Sequence, residues 1–305
     1  CYFESVKLIN RIDNLSFSIL KFNSTMLKFP LLGGCSLDMT RPQVMGILNV
    51  TPDSFYDGGK YVSELKVIER IHQIVEEGAD IIDVGAYSTR SGAAFVDEKE
   101  ETARLMPAVE LIRKYYPEAV ISIDTFRAGV AEEVNTCMGP VIVNDISGGT
   151  MDEEMFDFVA EAGIPYILMH IQGTPQTMQK NPVYRDVVEE VGAFFAERID
   201  QLNRKGFDNL ILDPGFGFGK TVQHNFQLLN GMERYKEFGY PLLVGISRKT
   251  TIWKTLGITP AEALNGTTVL NTISLLKGAD ILRVHDVKEA VEAVKLVGRL
   301  KEASV

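Results

Sequence analysis

The chain has 305 residues, is 45% hydrophobic and carries a net charge of −10 with a pI near 5.0. That length can bury one large core without requiring a second domain, and the acidic balance excludes broad binding to nucleic-acid phosphates, which needs basic surface. No apolar run approaches the ~18 residues of a membrane span, and the three dispersed cysteines, Cys1, Cys35 and Cys137, fit neither a disulfide framework nor a zinc site, so reduced cysteines of a cytoplasmic protein are expected.

Residues 1–25 mix apolar positions with Lys7, Arg11, Asp13 and Lys21, which breaks up any signal-peptide core. They read as an N-terminal extension ahead of a single domain over 26–305. In 27–40, Gly33-Gly34 between apolar runs predicts a hairpin capping the bottom of the fold. Short runs rich in Val and Ile then predict strands at 44–50, 80–86, 120–125, 141–146, 166–171, 210–213, 241–247 and 281–287. Most are apolar at consecutive positions, as in parallel strands buried on both faces. Helical patterns alternate with them. Over 63–77, Val67, Ile68, Ile71, Ile74 and Val75 form one stripe, and 97–115 opens on Asp97, Glu98, Glu100 and Glu101 and closes on Arg113 and Lys114, which suits the helix dipole. Segments 127–137, 151–162, 183–205, 223–238, 260–277 and 287–301 complete the series. Gly78-Ala79-Asp80, Gly163-Ile164-Pro165, Gly206-Phe207-Asp208 and Gly278-Ala279-Asp280 each place a glycine just past a helix, where a left-handed C′ residue is needed. The alternation predicts a (β/α)₈ barrel, with an open doubly wound sheet as the alternative.

A barrel carries its chemistry at the C-terminal ends of its strands. There the sequence places Asn49, Thr89-Arg90 a few residues beyond the second strand, Asp124, Asn144 and Asp145, His170, Asp213, Ser247-Arg248-Lys249, and Arg283 with His285. Polar groups in apolar strands are costly unless paired, so their recurrence on one rim predicts a ligand site. Asp145 and His170 serve equally well as satisfied scaffold groups. Asp124, Asn144 and Asp213 suit the edge of a flat heterocycle that offers N–H donors. Arg90, Arg283 and His285, with Asn49 as an oxygen ligand, suit a phosphate or diphosphate, with Mg²⁺ as a candidate companion. Lys249 is a point charge able to meet a ring carbonyl or a carboxylate.

The run from Asp213 to Thr221 nearly reads as a P-loop, but Pro214 stands where the first glycine belongs and the next helix starts late. Gly215, Gly217 and Gly219 fit instead a backbone that approaches a planar ligand. Segments 51–62 and 87–96 exceed the usual 2–6 residues of such loops and are expected to act as lids.

These residues resemble the dihydropteroate synthases. The matching runs are Met45-Gly-Ile-Leu-Asn-Val-Thr-Pro-Asp-Ser-Phe55, Asp83-Val-Gly-Ala-Tyr-Ser-Thr-Arg90, Ser122-Ile-Asp-Thr125, Val143-Asn-Asp-Ile146, Leu168-Met-His170, Leu212-Asp-Pro-Gly-Phe-Gly-Phe-Gly-Lys220, Gly245-Ile-Ser-Arg-Lys249 and Arg283-Val-His-Asp286. The resemblance implies that Asp124, Asn144, Asp213 and Lys249 hold a pterin, with Met169 and Gly245 lining its slot. It implies that Asn49, Arg90, Arg283 and His285 hold a diphosphate, with Asn49 beside Mg²⁺. A p-aminobenzoate would touch Phe55, Thr89, Phe218, Ser247 and Lys249. Asp124, Lys249, Asn49 and Arg283 would carry the catalysis, and a homodimer is expected. The implied reaction is displacement of pyrophosphate from the pterin CH₂ by the aniline nitrogen.

One position departs from the family pattern. Proline usually follows the Thr-Arg pair; here Ser91 does. Losing a fixed φ loosens that loop, so altered p-aminobenzoate or sulfonamide affinity is expected. Three rival readings remain: a methyltetrahydrofolate methyltransferase, which would not need Arg90, Arg283 and His285; a barrel aldolase using Lys249 as a Schiff base; and a non-catalytic pterin-binding protein.

Overall fold

The computed structural model describes residues 28–30, 36–50, 60–87 and 96–303. Two short strands, β1 (Lys28–Pro30) and β2 (Ser36–Asp38), pair antiparallel, Lys28 opposite Asp38. The turn expected at Gly33-Gly34 lies outside the described residues. Alternating strands and helices follow. They are β3 (Gln43–Asn49), α1 (Lys60–Glu76), β4 (Ile81–Gly85), α2 (Glu98–Tyr115), β5 (Val120–Asp124), α3 (Ala128–Met138), β6 (Ile142–Asp145), α4 (Met155–Ala162), β7 (Tyr166–Met169) and α5 (Val187–Arg204). The series ends with β8 (Leu210–Asp213), α6 (Val222–Gly231), β9 (Leu243–Val244), α7 (Thr250–Leu256), α8 (Leu264–Leu276), β10 (Ile281–Val284) and α9 (Val287–Glu302).

The parallel strands run in the order β8-β7-β6-β5-β4-β3-β10-β9. Leu212 N donates to Pro241 O at 2.9 Å beside β9 and bridges the two ends, so the sheet closes on itself. The seventh expected strand, 241–247, keeps ladder pairing only at Leu243–Val244. The expected helix at 223–238 divides into α6 and a 3₁₀ stretch, Met232–Phe238, and Pro260–Glu262 forms a 3₁₀ turn before α8. Helix α7 was not expected from the sequence pattern.

Alternation along the strands sorts the side chains into two cores. Val44, Leu48, Ile82, Val84, Ile121, Ile123, Val143, Leu168, Leu212 and Val284 point outward and pack against helix residues such as Ile71, Leu105, Val134, Val191 and Val294. Met45, Ile81, Ile142, Ile167, Ile211, Leu243 and Ile281 point inward and form an apolar floor, closed below by Leu37. Two residues further along each strand the inward positions are Ile47, Asp83, Ser122, Asn144, Met169, Asp213, Gly245 and Arg283, so the barrel turns polar above its floor.

The repeated Gly-Ala-Asp exits share one geometry. Gly78 and Gly278 take φ of 92° and 91°. The aspartate that follows bonds the entry of the neighbouring strand that precedes it in the chain: Asp80 Oδ2 accepts from Val44 N at 2.8 Å and Asp280 Oδ2 from Leu242 N at 2.7 Å. Helix α2 is capped as its composition suggests, with Asp97 accepting from Glu100 N at 2.9 Å.

Candidate functional site

The polar layer above the apolar floor centres on Arg283. Its Nε donates to Asp83 Oδ2 at 2.7 Å, and its Nη2 lies 2.7 Å from both Asp83 Oδ2 and Asp124 Oδ2. Asn144 Nδ2 donates to Asp83 Oδ1 at 3.2 Å. One guanidinium therefore ties β10 to β4 and β5, and one carboxylate ties it to β6. Burial works against the Arg283 charge, yet Asp83 and Asp124 hold its pKa above the ordinary arginine value. Burial pushes Asp124 up to about 7; Arg283 pulls it down, while Asp83, Glu101 and Asp145 add to the rise. The resemblance implies a ring for Asp124 and a diphosphate for Arg283; the structure pairs the two directly.

Asp213, at the end of β8, accepts from Gly215 N at 2.8 Å. Burial raises its pKa, and the nearby Lys249 ammonium opposes that rise. Lys249 donates to Phe216 O, and its Nζ sits 4.5 Å from the centroid of the Phe218 ring. Burial brings Lys249 down to about 8, against the pull of Asp213. A Cβ on Gly245 would lie 3.8 Å from Arg283 Cβ and 3.9 Å from Lys249 Nζ, so this position sits between the two cations. Ser247 Oγ lies 3.1 Å from His285 Nδ1 and accepts from His285 N at 3.2 Å. The His285 carbonyl takes a 2.7 Å bond from Arg70 on α1. Met169 packs with Ile146, Ile171 and Met178 into a small apolar cluster, with Phe126 and Phe218 against it. Asn49 ends β3 with an exposed side chain.

The structure thus brings Asp124, Asn144, Asp213, Lys249, Arg283, Gly245, Met169 and Phe218 around one mouth, with Ser247 and His285 paired and Asn49 at its own strand end. Phe55, Thr89, Arg90 and Ser91, and most of both expected lids, lie outside the described residues.

Comparison with known proteins gives the same direction. The sequence profile described as "Pterin binding enzyme" matches residues 45–285. The chain belongs to the pterin-binding enzyme family. It is 46% identical over 266 residues to the dihydropteroate synthase of Escherichia coli K12, covering 87% of this chain and 93% of that one. It is 43% identical over 263 residues to the dihydropteroate synthase of Synechocystis, covering 85% and 90%. Among solved structures, the Yersinia pestis dihydropteroate synthase in a sulfonamide complex superposes with a TM-score of 0.82 at 40% identity, covering 90% of this chain and 99% of that one. The Xanthomonas albilineans enzyme with 4-aminobenzoic acid gives 0.81 at 37% identity, covering 89% and 97%.

In this pterin-binding barrel two polar residues of the rim turn out to be scaffold. Asp145 points outward, away from the mouth. Its oxygens accept from Ser147 N at 2.7 Å, Gly149 N at 2.8 Å and Tyr166 Oη at 2.7 Å, which satisfies the buried carboxylate. His170 packs against Tyr184 and Phe194 and meets Lys220 Nζ at 2.9 Å through Nδ1. Burial, reinforced by Lys220, drives His170 down to about 2, so the ring is neutral.

Two contributors were missed in the sequence. Asp83 is fully buried, and its two-residue offset from Ile81 shows that it faces inward. Lys220, given no role in the sequence beyond the near-P-loop and a matching run, donates to Gly215 O and Phe218 O at 3.0 Å each and so shapes the glycine-rich turn from beneath. Burial lowers it to about 7. Gly215 has a φ of 70°, and a Cβ there would sit 1.9 Å from His170 O, so that turn accepts only glycine at this point.

Proposed function

We propose that this chain is a dihydropteroate synthase, joining 6-hydroxymethyl-7,8-dihydropterin pyrophosphate to p-aminobenzoate and releasing 7,8-dihydropteroate and pyrophosphate. The observation that carries the reading is the convergence of Asp124, Asn144, Asp213, Lys249 and Arg283 on one barrel mouth, in a chain 46% identical to a dihydropteroate synthase. The sulfonamide and 4-aminobenzoic acid complexes of the Yersinia and Xanthomonas enzymes support an aryl amine as the second substrate.

In this reading Asn144 and Asp213 accept the ring N–H groups of the pterin, Lys249 meets its carbonyl, and Met169, Phe218 and Gly245 line the slot. Arg283, His285 and Arg90 hold the diphosphate. The C–O bond to the pterin CH₂ breaks and its electron pair leaves on the diphosphate, where cations stabilise the growing charge. Asp124 offsets the positive charge that develops on the pterin side. The neutral aniline nitrogen, held by Phe55, Thr89, Ser247 and Lys249 with Ser91 alongside, forms the new bond and then gives up its proton to water. No strong base is required.

Asn49 would contribute one neutral amide oxygen from an exposed strand end, and among the described residues no group of three or more His, Cys, Asp or Glu is arranged to hold a metal ion by itself. That donor set fits Mg²⁺, which keeps waters and takes its other ligands from phosphate oxygens. Bound beside Asn49, the ion would supply further charge neutralisation to the diphosphate.

The chain acts as a homodimer in this proposal. The exposed side chains Leu256, Val269, Leu276, Leu296 and Leu300 on the neighbouring helices α7, α8 and α9 support it, because apolar side chains left to solvent favour association. No helix among the described residues is long and apolar enough to cross a membrane. The exposed, unpaired Cys137 supports a reducing, cytoplasmic setting.

The test is pyrophosphate release from the pterin substrate in the presence of Mg²⁺. Release that depends on added p-aminobenzoate is expected; no release, or release indifferent to the aniline, overturns the proposal.

A further inference from the structure

We infer that Asp83 is a positioning residue for the reaction, setting the Arg283 guanidinium and the Asn144 amide in place from beneath the substrate. This inference rests on the function proposed above.

Asp83 is wholly buried, so it does not reach a ligand. Its oxygens are nonetheless spent on two groups that line the mouth. Oδ2 accepts from Arg283 Nε at 2.7 Å and lies 2.7 Å from Nη2, while Oδ1 accepts from Asn144 Nδ2 at 3.2 Å. A guanidinium held along its Nε–Nη2 edge has its plane and rotation fixed. Among the described residues Arg283 Nη1 carries no hydrogen bond, so the clamp leaves that nitrogen to meet a ligand. Nη2 also reaches Asp124 at 2.7 Å. Asp83 therefore holds the cation beside Asp124 whichever way a diphosphate competes for it.

The same carboxylate determines the direction of Asn144. An amide whose Nδ2 is bound below presents its oxygen upward as an acceptor, which is the end a ring N–H requires. A carboxylate is needed here for its charge as well as its shape. Without it the buried Arg283 would have only Asp124 as a direct partner, and would be drawn toward β5. A strand-borne support of this kind is what fixes a reacting geometry to within fractions of an ångström. No other described side chain bonds both Arg283 and Asn144.

The experiment compares wild type, Asp83→Asn, Arg283→Gln and the double variant in aniline-dependent pyrophosphate release. Thermal unfolding of each confirms the folded state. Asp83→Asn is expected to lower kcat by about 10²-fold, while KM for p-aminobenzoate stays within about threefold. In the Arg283→Gln background the same change is expected to cost clearly less than it does alone, because the share of its effect that runs through the guanidinium is already lost and only the Asn144 share remains. Equal turnover of Asp83→Asn and wild type, or losses that multiply in the double variant, overturns this inference alone. A wild-type chain without aniline-dependent release overturns it together with the proposed function. If Asp83→Asn does not fold, Asp83→Glu carries the same test, since it keeps the charge but moves it by one methylene. Wild-type kcat in that variant counts against positioning.

Discussion

Arg283 on β10 and Asp124 on β5 meet at 2.7 Å with strands β4 and β3 between them in the sheet. A cation and an anion from distant parts of the chain thus face one another across the barrel interior. In the proposed reaction the diphosphate meets this guanidinium at Nη1, and Asp124 stays placed to face charge developing on the pterin.

Activity is expected to depend on the charged form of Asp124. Burial places its pKa near 7, so the carboxylate is lost as pH falls through that value. kcat/KM for the pterin substrate, measured between pH 5.5 and 8.5, should decline on the acid side. Asp124→Asn should lower it by roughly 10²-fold at pH 8. A flat wild-type profile down to pH 5.5 would count against the role given to Asp124.

The pair His170 and Lys220 gives stability its own pH dependence. His170 is depressed from 6.5 to about 2 and Lys220 from 10.5 to about 7. In both windows the folded chain binds fewer protons than the unfolded one, so stability rises with pH. For His170 the contribution is complete above 6.5 and is lost on acidification at about 1.4 kcal/mol per pH unit. Lys220 adds stability between about 7 and 10.5. Asp124, raised to about 7, acts in the opposite sense over the same range, so the test is a difference: His170→Gln should gain melting temperature relative to wild type between pH 7 and pH 5. A His170→Gln profile parallel to wild type would show that another group governs acid unfolding.

Ser91 bears on the second substrate. With serine in place of the usual proline, the loop after β4 is expected to be less rigid. Ser91→Pro should therefore change the inhibition constant of a sulfonamide or the KM for p-aminobenzoate, with little change in affinity for a pterin. Inhibition and Michaelis constants indistinguishable from wild type would remove Ser91 from the account.

The apolar residues on α7, α8 and α9 predict self-association. Sedimentation equilibrium of the wild type should return a dimer, and a Val269→Glu, Leu276→Glu double change should return a monomer. A wild-type monomer at tens of micromolar chain would contradict the proposed dimer.

Much of this architecture could be read from sequence because strands buried on both faces are apolar at consecutive positions. The expected 210–213 strand coincides with β8, and most others differ at their ends by one or two residues. The run 241–247 misled because ladder pairing stops at Val244, just before Gly245, although the chain continues along the barrel wall. Helix α7 was hidden because Thr250–Leu256 is too short to show a 3.6-residue period.

In the site, residue type alone could not separate partners from scaffold. Asp145 and Asp83 look alike in sequence, each a carboxylate in an apolar strand. Strand parity distinguishes them: Asp83 shares the inward face with Ile81, whereas Asp145 shares the outward face with Val143. The pairing of Arg283 with Asp83 spans 200 positions of sequence, so nothing local in the chain could announce it.

The geometry itself is tested most directly by a crystal structure of the protein soaked with a pterin pyrophosphate analogue. The account predicts the ring over Met169, with hydrogen bonds to Asn144 and Asp213 and a contact to Lys249, and the diphosphate within reach of Arg283 and His285. A ring bound away from Asn144 and Asp213, or a diphosphate held by residues outside this mouth, would contradict it.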